Sequence, residues 1–92
     1  MNSFGEYLRN RREQLGLPLR RIAAELDIDT SILSKIERNE RVATKGMLPT
    51  LAKSLEVPEK EIQLEFIQSS ILSELGDLEF LADGLKNLLR NL

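Results

Sequence analysis

Residues 16–41 read GLPLRRIAAELDIDTSILSKIERNER, and the reading of this stretch decides the fold. Gly16 after Leu15 is a helix stop, because glycine accepts the left-handed conformation at a helix end. Pro18 then opens a short helix at no cost, since its missing N–H would have no partner in a first turn. Ile22, Ala23 and Leu26 recur at helical spacing and form the inner face of that helix. Asp27, Ile28 and Asp29 make a turn, and a further helix is predicted over Thr30 to Glu37 with Leu33 and Ile36 inward. Two short helices joined by so few residues must cross steeply. Close crossing needs a small side chain, which Ala23 supplies. The turn needs positive φ, which aspartate tolerates at some cost at Asp27. Asp29 is expected to cap the following helix, its carboxylate accepting from the first-turn amides for roughly 1 kcal/mol. Thr30, Ser31, Ser34 and Lys35 remain outward. They are short donors and acceptors plus one cation, with no bulky apolar residue to keep the helix out of a groove.

Outward from this corner every segment is helical. Phe4, Leu8 and Leu15 share one face of a first helix with Ser3 as its cap. RNERVATKG (38–46) is a polar loop. A fourth helix runs from about Met47 to Leu55 with Leu48, Leu51, Ala52 and Leu55 inward, and Pro49 is tolerated in its first turn. Pro58 starts a fifth helix with a broad apolar surface of Ile62, Phe66, Ile67, Ile71, Leu72 and Leu75. Gly76 ends it, and Asp77 is expected to cap a sixth helix in which Leu78, Leu81, Leu85, Leu88 and Leu92 step by three and four. No strand pattern and no internal repeat is present.

Composition removes whole classes of chemistry. The 92 residues contain no cysteine and no histidine, which excludes disulfides, thiol and imidazole catalysis and the usual zinc sites. No carboxylate pair is placed for acid–base work and no glycine loop for cradling phosphate. The expectation is a protein that is not an enzyme and needs no cofactor or metal. No signal peptide or apolar membrane span is read, so a cytoplasmic setting without membrane contact is expected. The net charge of −2 hides an asymmetry. Residues 1–57 carry ten Lys/Arg against eight Asp/Glu, whereas residues 58–92 carry three against seven. A mildly basic front and an acidic tail fit a chain of which only the front meets a polyanion.

The stretch from Gly16 to Arg41 resembles the Cro/CI-type helix-turn-helix of the XRE family, a group of bacterial and phage transcriptional regulators. RREQLGL (11–17), IAAEL (22–26), SILSKIER (31–38) and LPTLAKSLEV (48–57) carry the resemblance. It implies an all-α, five-helix, lambda-repressor-like DNA-binding domain over residues 1–66, with a helical C-terminal extension over 67–92. Double-stranded DNA is the implied partner, with the helix at 30–37 in the major groove. Carried over by position, Thr30, Ser31 and Lys35 fall where relatives touch base edges, and Ser34 lies beside them. Arg12 and Glu37 match a buried ion pair that ties the first helix to the end of the third. Relatives usually have glutamine, contacting a phosphate, where this chain has Leu19; Arg20 and Arg21 follow and are expected to take over that contact. Arg38, Arg41 and Lys45 lie in the loop that runs along the DNA backbone in relatives, and Arg11 is a sixth phosphate candidate. Relatives often have glycine where Asn39 stands.

One such unit touches only a few base pairs, so a homodimer reading two half-sites is expected. Ile71, Leu75, Leu78, Leu81, Leu85 and Leu88 are the candidate dimer seam. The alternative is that the last two helices bury each other within one chain, and the two arrangements are compatible. Two functions follow: a dimeric repressor or other regulator on an operator, or a protein-binding module such as an antitoxin whose tail holds a protein partner. Phage repressor, restriction–modification controller and antitoxin are not separated by these residues, nor are operator sequence, effector, or activation against repression.

Overall fold

The computed structural model describes residues 3–92. Among them the chain is all-helical: α1 (Phe4–Gln14), α2 (Leu19–Leu26), α3 (Thr30–Glu37), α4 (Leu48–Ser54), α5 (Glu59–Leu75) and α6 (Leu81–Leu89). One turn of 3₁₀ helix, Lys45–Met47, leads into α4 inside the segment expected to be irregular. Pro18 and Pro58 occupy the capping positions before α2 and α5, and Pro49 lies in the first turn of α4.

The core is built from the apolar positions that recur at three and four. Leu8, Ile22, Leu33, Leu51, Leu55 and Ile62 are its largest fully buried side chains, one from each of the first five helices and Leu55 from the end of α4. Close helix packing joins α1 with α3 and α5, α2 with α3 and α4, and α4 with α5. Ala23, 1% exposed, lets α2 and α3 cross.

Four successive helices end in one way. The N–H of Leu17, Ile28, Glu40 and Val57 donates to the carbonyl five residues earlier, at Arg12, Ala23, Lys35 and Ala52. Each closure requires a left-handed residue just before the donor. These are Gly16 (φ 68°), Asp27 (57°), Asn39 (62°) and Glu56 (54°). A side chain in this conformation costs on the order of 1–2 kcal/mol. Ile28 and Val57 offset part of that cost by packing on the core just past their turns, as Leu17 packs past Gly16, where glycine bears no such cost.

The last third is different. α5 is apolar on two opposite sides: Ile62 and Phe66 face the core, while Leu64, Ile67 and Leu75 lie half a turn away and are exposed. Among the described residues α6 packs extensively on no other helix, and only Leu81 and Leu85 of it are partly covered. Of the large apolar side chains beyond Phe66 only Ile71, Leu81 and Leu85 are partly covered, and the other leucines, isoleucines and Phe80 of this stretch are exposed. The radius of gyration, 14.4 Å, exceeds the about 12 Å of a compact chain of this length. Asp77 does not cap α6, which begins four residues later behind Phe80. The cause is the segment after Gly76, whose turns place the Leu78 N–H on Leu75 and the Leu81 N–H on Leu78 before the helix starts.

Candidate nucleic-acid interface

α3 has one locked side and one free side. Leu33 and Ile36 anchor it in the core, and Ile32 is half-buried against that core. Its C-terminal end is held by a fork. Arg12 donates from Nε to Glu37 Oε2 at 2.8 Å and from Nη2 to Glu37 Oε1 at 3.0 Å, and Nη1 reaches the Leu17 carbonyl at 2.9 Å. Glu37 is 7% exposed, so its charge depends on this partner. The hydrogen bonds that Arg12 donates to Glu37 raise the Arg12 pKa above its ordinary value and outweigh the burial that would lower it.

On the free side Thr30, Ser31 and Lys35 are exposed and Ser34 is half-buried. Lys35 has no ion pair among the described residues. The structure thus brings the four predicted base-reading residues onto the solvent face of one rigid helix. Asp29 differs from expectation. It occupies the capping position, but its carboxylate makes no capping hydrogen bond and stays exposed; the helix is entered through its backbone carbonyl instead, which accepts from Ile32 and Leu33 at 3.0 and 3.2 Å. The first-turn amides and the free carboxylate therefore lie side by side at the helix entrance.

The predicted phosphate-binding cations divide by their partners. Arg20, Arg41 and Lys45 are exposed and without an ion pair among the described residues. Arg21 lies 3.7 Å from Glu25, and Arg38 lies 2.8 Å from Glu40. Arg11 is committed elsewhere: its guanidinium donates to the carbonyls of Leu55 (2.8 Å) and Glu56 (3.2 Å), holding the left-handed end of α4. Its use is structural, because two unpaired carbonyls at a helix end attract a cation. Leu19 is half-buried against the core, which accounts for an apolar side chain there.

The sequence did not mark a cluster at the start of α1. Ser3 Oγ accepts from Glu6 N–H at 3.2 Å and from Asn39 Nδ2 at 2.6 Å. Asn39 Oδ1 accepts from Gly5 N–H at 3.3 Å, and Ser69 Oγ from Phe4 N–H at 3.1 Å. A Cβ on Gly5 would stand 2.3 Å from the Ile36 carbonyl oxygen, so only glycine lets α1 approach the end of α3 this closely.

A family model described as a helix-turn-helix domain matches residues 5–65, about two thirds of the chain. The chain belongs to the helix-turn-helix family. No curated protein and no solved structure matches it. As a helix-turn-helix domain of the kind typical of XRE-family regulators, it is a DNA-binding protein, and the matched span takes in α1 to α4 and the first part of α5. Among the described residues no helix is long and apolar enough to cross a membrane.

Proposed function

We propose that this helix-turn-helix protein is a sequence-specific regulator that binds double-stranded operator DNA as a homodimer. In this reading residues 1–66 form the reading head and residues 67–92 the dimerisation arm. Thr30, Ser31, Ser34 and Lys35 on the free side of a helix locked on its other side are the observation that carries it. Small polar side chains suit mixed donor and acceptor edges in the major groove, and Lys35 suits guanine. Arg20, Arg41 and Lys45 contact phosphates, with Arg21 and Arg38 joining once Glu25 and Glu40 release them.

The arm supports pairing of two copies. Ile71, Leu75, Leu78, Leu81, Leu85 and Leu88 are joined on its surface by Ile67, Leu72, Phe80, Leu89 and Leu92. Phe80, Leu89 and Leu92, each at least 69% exposed, are the most open of these side chains. The same arm would let a different protein bind, as an antitoxin binds its toxin. DNA titrations on an operator-sized duplex, combined with sedimentation, separate the two readings. A regulator shows twice the chain mass and a log–log salt slope near −0.9 per phosphate contact. A monomeric chain with no affinity for duplex DNA refutes the reading.

A further inference from the structure

The first amides of a helix have no partner within it, and one capping side chain normally satisfies them. At α1 three different elements share the task. Ser3 takes the N–H of Glu6, Asn39 at the end of α3 takes that of Gly5, and Ser69 of α5 takes that of Phe4. Asn39 also donates to Ser3, closing the set. The left-handed backbone of Asn39 holds its side chain over α1, and Gly5 gives it room. Phe66, one turn before Ser69, packs edge-on against Phe4 with ring centres 5.3 Å apart. One turn beyond Ser69, α5 leaves the body, and Leu72 and Ser73 are exposed. Ser69 is thus the last polar attachment of the arm, and it shares the α1 terminus with the residue that ends α3.

We propose that Asn39 and Ser69 are positioning residues that fix the angle at which the arm leaves the reading head, and with it the separation of the two α3 helices in the dimer. The proposal rests on the dimeric DNA-binding reading above. Leverage makes the angle matter. α5 extends about 14 Å beyond Phe66, its last core contact, so a swing of about 20° moves its far end by about 5 Å. That exceeds the rise of about 3.4 Å per base-pair step. An arm free to swing reads half-sites at several spacings, and a clamped arm reads one.

The test uses the full chain and duplexes carrying two inverted copies of the half-site that the wild-type protein selects from random DNA. Their centre-to-centre spacing is varied around about 10.5 base pairs. The wild type is expected to prefer one spacing by about tenfold or more, and Asn39→Gly/Ser69→Ala to bind the series within about threefold, with affinity for an isolated half-site changed by less than about twofold. Asn39→Gly keeps the positive φ, so the turn itself survives. Ser69→Thr keeps the acceptor and should keep the preference. An unchanged spacing preference in the double variant overturns the proposal, and so does an equal loss on the isolated half-site, which would mean that these residues only hold the fold. A wild-type protein that is monomeric or indifferent to spacing overturns the dimeric reading itself.

Discussion

The reading head and the arm are written in the same apolar periodicity and end in different states. In the head, leucines and isoleucines at three and four find partners on neighbouring helices, and four helix ends close through left-handed residues that steer the next helix back onto the core. In the arm, the ends of α5 and α6 stay right-handed at Gly76 and Arg90, and most apolar side chains beyond Phe66 stay exposed. Apolar periodicity makes a helix amphipathic. Helix-end geometry decides whether its apolar face is buried within the chain or left for another molecule.

Breaking the head should cost most. Glu37→Ala strands the Arg12 guanidinium in a site where it is only 15% exposed, and a loss of about 3–5 kcal/mol is expected in urea unfolding. Leu33→Ala, at a side chain 1% exposed, should cost about 2–5 kcal/mol in the same measurement. Leu89→Ala sharpens the comparison. With Leu89 69% exposed, the stability of the isolated chain should change by less than about 0.5 kcal/mol. Self-association should nonetheless weaken, and Leu88→Glu with Leu89→Glu should give a folded monomer by sedimentation. Equal losses of stability at Leu33 and Leu89 would mean that the arm is packed within its own chain.

Within the head a smaller effect is expected at Tyr7, whose hydroxyl donates to Glu61 and links α1 to α5. Burial, and then the Glu61 carboxylate, push the phenol well above its ordinary value of 10.0. The protonated phenol is therefore favoured in the folded state. Its contribution is complete below about pH 10 and is lost as pH rises through the folded value. Tyr7→Phe should lower stability by about 0.5–1.5 kcal/mol at neutral pH and flatten the alkaline part of the stability profile.

Much of this was legible in the sequence because its signals are local. Gly16 and Asp27 are residue types that accept positive φ, and each marked a helix end; Asn39 is a third such type, where relatives often have glycine. Glu56 is not such a residue. Its turn is held by Arg11 from forty-five positions away, a structural use of this arginine that has no local signal in the sequence. The Ser69–Phe4 bond spans 65 positions and has no local pattern at all. Asp29 stands at the capping position that its residue type implies, but position alone does not fix where an exposed carboxylate points. Asp77 failed as a cap because the turns after Gly76 consumed the residues that would have opened α6.

The most direct test of the DNA-reading head is selection of binding sites from random duplex DNA by the wild type, Lys35→Ala and Arg41→Ala. The wild type should recover a two-part inverted site. Lys35→Ala should relax one base position in each half by about 1–3 kcal/mol of discrimination, whereas Arg41→Ala should weaken all sequences alike and reduce the salt slope by about one. Equal, sequence-independent losses from both substitutions would contradict the placement of α3 in the major groove.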